Sequence, residues 1–276
     1  MLLASGGVPA VVQAAKDSRA ALERIVKSGY NPQVLAVFFP VLLRSRMMTL
    51  ALKNYTLAAQ TKTTGAVRFN RWNAFLLQNL LFEGPGFRRK AVSGWHHTLV
   101  WPLVTQKAFL MPLVNKKGLY CFYGRSLITG LRRLIAGLPC VEVGAGDGTL
   151  SRLLTQAGCS VHATDNHSWS SVIDYPSEVE SLDAQAALEK YAPPVVISCW
   201  PDPGNSWEKA ILARASTQVY IVLGSLVPGA TGDPELYANP EGFVRTERPD
   251  LARGILPREM RNQVLVFTRP RTWEAK

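Results

Sequence analysis

The chain has 276 residues, with 31 lysines and arginines against 20 aspartates and glutamates and a formal net charge of +11. Apolar residues make up 47% of it, which excludes a disordered, acidic or collagen-like polymer. The cysteines are few and widely spaced, which excludes a disulfide-rich scaffold and a zinc site of the C-x2-C type. We therefore expect a folded intracellular protein without a bound metal. The cysteines are Cys121, Cys140, Cys159 and Cys199.

The charge divides the sequence into two parts. Residues 1–138 carry 19 basic and 3 acidic side chains, a balance of +16, whereas residues 139–276 carry 12 basic and 17 acidic ones, a balance of −5. Net charge concerns partners rather than fold. The basic half therefore indicates either an anionic partner, such as RNA or another polyanion, or only a balance of charge within one fold.

The first thirty residues are rich in alanine, basic and poor in acid, with apolar residues at helical spacing. A mitochondrial or plastid presequence has this composition, but Asp17 and Glu23 also fit an ordinary amphipathic helix. We favour the helix and a cytoplasmic location, with a mitochondrial or plastid matrix as the alternative. The longest apolar run, 34–43, has ten residues, and a bilayer-spanning helix needs about 20. No transmembrane segment is predicted.

Residues 1–118 are predicted to be a basic, mainly helical region that binds a substrate or partner. Apolar side chains at helical spacing predict a helix over 70–82, which the Gly-Pro-Gly run at 84–86 ends. Three basic residues at 88–90 and a group of tryptophans and histidines at 95–101 follow. Proteins that bind single-stranded nucleic acid combine cations with ring faces in this way. The same residues also fit a solvated loop and a protein core, and the sequence leaves both interpretations open.

A further helix is predicted over 126–136, because Gly137 and Pro139 mark its end. Tyr123 and Arg125 precede it. Arg125 is a candidate clamp for a ligand carboxylate, since a guanidinium binds carboxylates with two hydrogen bonds. It can equally pair with an acid on the surface.

A glycine-rich turn follows this helix. Residues 140–143 predict a short apolar strand, which runs into Gly-Ala-Gly-Asp-Gly at 144–148 and then a helix over 149–157. Strand, glycine turn and helix are the context of a nucleotide-type binding loop, and glycines let a ligand lie against the backbone. The next strand, 159–163, leads to Asp165. An acid at the end of the second strand is where ribose hydroxyls are held.

The run E-V-G-A-G-D-G resembles motif I of the class I S-adenosylmethionine (SAM)-dependent methyltransferases, E/D-x-G-x-G-x-G. The alternative pattern of pyrophosphate-binding loops, G-x-G-x-x-G, fails at Thr149, which disfavours an NAD-dependent oxidoreductase. The resemblance covers residues 119–270 and implies SAM as the cofactor. The four fixed positions of the motif are Glu142, Gly144, Gly146 and Gly148.

The resemblance implies an α/β fold with a seven-stranded Rossmann-like methyltransferase sheet, mostly parallel with one antiparallel strand. The mainly helical N-terminal region would precede it, so that 1–118 and a SAM-binding domain at 119–276 form the two parts of the chain. A long loop over 224–240, rich in glycine and proline, is expected to cover the carboxyl edge of the sheet. Further strands are predicted at 195–198, 218–223, 243–248 and 263–268, and further helices at 185–190 and 207–215.

The resemblance also implies which residues contact the cofactor. The glycine loop would carry the methionine and ribose parts, Asp165 the ribose hydroxyls and Asp183 the adenine amino group. From the residues alone, Asp183 is equally an N-cap for the helix that follows it. The expected cofactor contacts are Tyr123, Arg125, Glu142, Gly144, Ala145, Gly146, Gly148, Asp165, Asn166, Asp183, Ala184 and Cys199.

The position of the catalytic motif departs from the family pattern. Amino-group methyltransferases often carry D/N-P-P-Y/F after the fourth strand, where this chain has Trp-Pro-Asp-Pro at 200–203. Trp200 can stack on a planar acceptor or face the sulfonium, and Asp202 can orient a nucleophile or act as base. His167 and one of His96 and His97 are further candidate bases. The acceptor, whether a small molecule, a peptide or RNA, stays open. The alternative function is an RNA- or ribosome-associated factor with a methyltransferase fold and little or no transfer activity.

Overall fold

The computed structural model describes residues 69–227 and 229–270. The predictions for the first thirty residues and for the apolar run at 34–43 lie outside these residues. These described residues belong to one compact unit. Among the described residues, no helix combines the length and the apolar character needed to cross a membrane.

Seven strands of the described chain form one sheet, and two short ones form a separate antiparallel pair. The strands are β1 (Phe122–Tyr123), β2 (Cys140–Val143), β3 (Val161–Asp165), β4 (Val179–Ser181), β5 (Val195–Cys199), β6 (Val219–Ser225), β7 (Val244–Glu247), β8 (Ile255–Leu256) and β9 (Asn262–Thr268). The large sheet has the order β4-β3-β2-β5-β6-β9-β7. β9 is antiparallel to β6 and β7, and the remaining neighbours are parallel. The predicted α/β class and seven-stranded Rossmann-like sheet, mostly parallel with one antiparallel strand, are confirmed.

Helices cover both faces of this sheet, and two hydrophobic clusters fill the space between the layers. The central strands β2, β5 and β6 are buried along nearly their whole length, as is typical of parallel strands covered on both sides. The helices of the described residues are α1 (Arg71–Leu81), α2 (Gly94–Val100), α3 (Leu110–Val114), α4 (Arg125–Ile135), α5 (Thr149–Gln156), α6 (Ala184–Tyr191), α7 (Trp207–Ala213), α8 (Pro234–Ala238) and α9 (Pro249–Ala252). α4, α5 and α9 contribute to one cluster, and α6, α7 and α8 to the other.

Some elements differ from their prediction. β3 begins at Val161 rather than at 159, because Cys159 still belongs to the end of α5, where its N–H donates to the Leu154 carbonyl at 3.0 Å. The segment 224–240 is not wholly loop: β6 extends to Ser225, and Asp233 caps α8 by accepting from two backbone N–H groups. Aspartate followed by proline is a helix-start signal, which the surrounding glycines obscure. The sequence pattern does not locate β4, β1 or β8.

Residues 69–118 share a core with the residues that follow them. Four leucines on the buried side of α1 pack in one cluster with Phe122 of β1 and Leu256 of β8. The indole of Trp101 donates to Glu259 at 2.9 Å, which joins the same two regions. Trp101 is therefore a core residue, one of the two interpretations that its sequence allows. The functional division of the chain at residue 118 stays a prediction.

Candidate functional site

A cavity of about 270 Å³ lies at the carboxyl ends of β2, β3 and β5. Most of the residues that the sequence predicts for the site line it: Tyr123, Gly144, Ala145, Gly146, Asp165, Asn166, Asp183, Ala184, Cys199, Trp200 and Asp202. Four predicted residues do not line it: Arg125, Glu142, Gly148 and His167. Lining residues that sequence reasoning missed include Arg89, Tyr120, Asp147, Trp169, Ile173, Tyr175, Leu182 and Trp207.

The glycine loop presents bare backbone to this cavity. Gly144 and Gly146 have φ of 69° and 57°, in the left-handed region that side chains rarely adopt. A Cβ on Gly144 would meet no protein atom within 4 Å, so it would project into open space. Gly148 differs, because a Cβ there would lie 2.7 Å from Cγ2 of Val179. It lets the start of α5 pack against β4 and lies outside the cavity.

Asp165 ends β3 and contacts the glycine loop at the cavity. Its Oδ2 accepts the N–H of Gly146 at 2.9 Å, and its Oδ1 accepts the N–H of His167 at 3.0 Å. An ionised carboxylate offers about four lone-pair sites, so two backbone bonds leave acceptor capacity for a ligand. These two backbone bonds also fix the orientation of the carboxylate, and with it the direction of the lone pairs that can accept from a ligand.

Asp183 combines the two roles that its sequence position allows. It is the N-cap of α6, with Oδ1 accepting the N–H of Ala186 at 2.8 Å. It also lines the cavity beside Leu182 and Ala184, and its second oxygen has no partner among the hydrogen bonds of the described residues. The cap therefore holds a carboxylate oxygen at the cavity edge.

Glu142 lies beneath the loop rather than in the cavity. Its carboxylate is buried and accepts both the N–H of Ser151, at 2.9 Å, and the hydroxyl of Ser151. Burial raises the pKa of Glu142 to about 7, although the two bonds from Ser151 act in the opposite direction. Glu142 shares its side of β2 with Cys140, towards α5, since side chains alternate along a strand. It supports the helix that follows the glycine loop.

The guanidinium at the cavity belongs to Arg89 and not to Arg125. Arg125 is exposed at the start of α4. Arg89 is buried, and its Nη2 donates to Oδ1 of Asp147 at 2.5 Å while its Nη1 donates to the Cys121 carbonyl at 2.5 Å. Its guanidinium also lies 5.0 Å from the ring centre of Tyr123. Burial would raise the pKa of Asp147, but the charge and hydrogen bond of Arg89 outweigh burial and lower it.

Residues at the end of β5 and just after it form part of the cavity wall. Trp200 has φ of 58°, which is rare for an aromatic residue and is characteristic of functional sites. Its N–H donates to the Leu223 carbonyl at 2.7 Å, and its ring stacks on Tyr120 with the ring centres 6.1 Å apart. Burial and the nearby charge of Asp202 raise the pKa of Tyr120. Trp200, Tyr120 and Asp202 thus form one group.

The candidate histidine bases lie elsewhere. The ring of His167 stacks on Tyr175 at 4.0 Å between ring centres, outside the cavity lining. His97 is buried against Trp101, and His96 stacks on Trp95. Within residues 69–227 and 229–270, no group of three potential metal-ligating side chains comes together.

Comparison with known proteins gives matches only among solved structures. No family model matches the chain, and no curated protein matches it. The chain is similar to magnesium protoporphyrin IX methyltransferase of Synechocystis PCC 6803 with bound SAM, at 12% identity and a TM-score of 0.39, over 75% of this chain and 100% of that one. It is also similar to the 23S rRNA methyltransferase ErmE, at 16% identity and a TM-score of 0.33, over 53% of this chain and 68% of that one.

A SAM-dependent O-methyltransferase of Thermotoga maritima matches at 11% identity and a TM-score of 0.36, over 58% of this chain and 71% of that one. All three proteins are methyltransferases, and they differ in what they act on. With TM-scores below 0.5, these similarities identify neither an activity nor a substrate for this chain.

Proposed function

We propose that this chain is a SAM-dependent methyltransferase, because the bare glycine loop, Asp165 and Asp183 converge on one cavity in the order that a nucleoside donor requires. The loop follows β2, Asp165 ends β3, and Asp183 caps α6. Each presents unused polar atoms or open backbone to the same space. A glycine turn alone would be a common feature of the fold.

The residues present fit the chemistry of SAM. Asp165 would accept hydrogen bonds from the two ribose hydroxyls, and the free oxygen of Asp183 would accept one from the adenine amino group. Leu182 and Ile173 offer apolar surface for the base. The main chain of Gly144 and Gly146 would lie against the ribose and methionine parts, where a side chain would intrude. When bound, SAM supplies a methyl group on a positively charged sulfur, which is electrophilic without further activation.

The amino-acid end of the donor would lie near Arg89 and Asp147. This pair places a cation and an anion beside the glycine loop. The cation would complement the carboxylate of the donor's amino-acid end, and the anion would complement its ammonium group. Arg89 takes the role that the sequence assigned to Arg125. Glu142 and Gly148 support the loop from behind and do not touch the donor.

The acceptor would lie against Trp200, Tyr120 and Asp202. The two rings offer a stacking surface for a planar group, and Asp202 would orient the attacking atom or take its proton. Holding donor and acceptor in line can contribute about 7–11 kcal/mol to lowering the barrier, so the chain contributes chiefly by alignment. His167 has no part in this scheme, because its ring lies outside the cavity lining.

An RNA- or ribosome-associated role is a second candidate, favoured by the exposed rings of the basic region. Trp72 and Trp95 are 58% and 68% exposed, although large aromatic side chains are usually buried in a core. Affinity for total RNA that falls steeply with salt would support this role, because phosphate contacts release counterions. Affinity independent of salt would exclude it.

Labelled methyl transfer tests the main proposal. The full chain is incubated with SAM labelled on its methyl group and a fractionated cell extract, and the label is traced to RNA, protein or small molecules. We expect label in one fraction, and we expect its loss in Asp165→Ala but not in Asp174→Ala. Asp174 is exposed and does not line the cavity, so it controls for the loss of a nearby carboxylate. Equal labelling by both variants would overturn the proposed site.

A further inference from the structure

Two thiols face each other at the cavity. Sγ of Cys121 and Sγ of Cys199 are 3.8 Å apart, although the residues are 78 positions apart in the sequence. Both residues line the cavity. Cys121 immediately precedes β1, and Cys199 is the last residue of β5. The hydroxyl of Tyr123 lies 3.3 Å from Sγ of Cys199.

The surroundings of this pair favour reaction. Burial would raise the pKa of the Cys121 thiol, but its hydrogen bond with Cys199 and the charge of Arg89 outweigh burial and lower it. The same hydrogen bond, together with burial, raises the pKa of the Cys199 thiol, so Cys121 is the partner that ionises first, and the thiolate is the nucleophilic form of cysteine. Among the cysteines of the described residues, Cys199 alone is half-buried rather than buried. Cys121 and Cys199 both line the cavity, so an oxidant that enters it reaches the pair.

The other two cysteines provide a contrast within the same chain. Cys140 and Cys159 are 1% and 7% exposed, pack in the core beside the sheet and do not line the cavity. Burial raises the pKa of both thiols. Apolar burial makes a thiol inert, and we expect these two to remain reduced.

We propose that Cys121 and Cys199 form a reversible disulfide when a hydroperoxide enters the cavity. The Cys121 thiolate attacks the peroxide and becomes a sulfenic acid, while the O–O bond breaks and the departing hydroxide takes up the proton that Cys121 had released, which gives one water. The Cys199 thiol then attacks the sulfenic sulfur of Cys121 and loses its proton, the S–S bond forms, and the hydroxyl leaves with that proton as a second water. Two thiols and one hydrogen peroxide thus give one disulfide and two waters.

The geometry of the pair permits this bond. A disulfide places its sulfurs about 2.05 Å apart, so the two Sγ atoms approach each other by about 2 Å. The bond ties the end of β5 to the segment before β1. If the cavity binds SAM, as proposed above, donor binding and oxidation interfere with each other; disulfide formation itself does not depend on that function.

Peptide mapping tests the disulfide without any cofactor. The full chain is treated with hydrogen peroxide, free thiols are blocked with N-ethylmaleimide under denaturing conditions, and the chain is cut with trypsin. The four cysteines fall in four tryptic peptides: 118–125, 134–152, 153–190 and 191–209. We expect 118–125 linked to 191–209 at two hydrogens below their summed mass, a fall from four free thiols to two, and full reversal by dithiothreitol.

Variants make the result specific. Cys199→Ser removes the link and leaves Cys121 without a partner, whereas Cys140→Ala and Cys159→Ala, the matched controls, leave the link intact. Circular dichroism first establishes that each variant is folded, and only folded variants are then treated with peroxide and mapped. Four free thiols after peroxide treatment of the wild-type chain, a link between 134–152 and 153–190, or a link between two chains would each overturn the proposal.

Discussion

The guanidinium of Arg89 lies 2.5 Å from the carboxylate of Asp147, measured from Nη2 to Oδ1, and so joins the basic region to the glycine loop. Arg152 strengthens the same connection by donating to the Arg89 carbonyl at 2.5 Å. Asp147 in turn accepts both the N–H and the hydroxyl of Thr149 at the start of α5. The loop is therefore held from both sides.

Replacing Arg89 with methionine should destabilise the chain strongly. The side chains of Arg89 and Asp147 are 6% and 20% exposed, and breaking a buried ion pair from one side costs about 3–5 kcal/mol because a charge is left unpaired. Arg88→Met removes an ion pair to Glu83 on the surface, which is worth at most about 1 kcal/mol. Urea unfolding of both variants measures the difference, and equal free energies of unfolding would contradict this account of the loop.

Replacing Asp165 with asparagine should weaken donor binding. The neutral amide offers one acceptor oxygen, which the Gly146 or His167 N–H already requires. A hydrogen bond to a charged group is worth about 1.5–3 kcal/mol, so the dissociation constant for SAM should rise by about 10- to 100-fold. Asp174→Asn is the control, and calorimetric titration of both variants is the measurement. An unchanged dissociation constant for Asp165→Asn would show that Asp165 does not hold the ribose.

The buried Glu142 should make stability depend on pH. Its pKa is raised from 4.5 to about 7 by burial, so the folded state favours the protonated form. This contribution to stability is fully present below pH 4.5 and is lost as the pH rises through 7. Glu142→Gln, which keeps an acceptor for Ser151, should abolish the loss, which is on the order of 3 kcal/mol.

Urea unfolding at pH 5 and pH 8 measures this effect. The advantage of Glu142→Gln over the wild-type chain should grow from the lower to the higher pH. Glu241→Gln, at an exposed position, should follow the wild-type chain at both. If the free energy of unfolding of Glu142→Gln changes between the two pH values by the same amount as that of the wild-type chain, the Glu142 carboxyl is not protonated in the folded state.

Replacing Asp202 with asparagine should reduce methyl transfer without reducing donor binding. Asp202 lines the cavity together with Tyr120 and Trp200, the group against which the acceptor is proposed to bind. General acid–base groups contribute about 10²–10⁴-fold to a rate, so we expect the rate of label transfer to fall at least tenfold. The dissociation constant for SAM should stay within about threefold of the wild-type value. A parallel loss of donor binding would place Asp202 in the donor site instead.

The sequence predicts the sheet because its central strands are continuous apolar runs bounded by glycine and proline, a pattern that needs no tertiary context. The glycine loop follows from the same local order of strand, turn and helix. Arg89 cannot be found in this way, because its partner Asp147 is 58 positions away and its neighbours at 88 and 90 are ordinary surface cations. Only the fold brings such pairs together.

For two other residues, Glu142 and Arg125, the difference between prediction and structure can be recognised from the sequence. The family motif places Glu142 in the donor site, but alternation along β2 puts it on the side of Cys140, facing α5. Arg125 precedes a predicted helix, yet its position at an exposed helix start gives it no path to the cavity. The cavity's aromatic wall comes from scattered positions, including Tyr120, Trp169 and Trp207, and no local pattern groups them.

Calorimetric titration of the full chain with SAM, and separately with NAD, tests the central claim most directly. Asp165, Asp183 and the open backbone at Gly144 predict saturable binding of SAM at one site per chain, and the failed pyrophosphate pattern at Thr149 predicts none of NAD. Binding of NAD without binding of SAM would contradict the account.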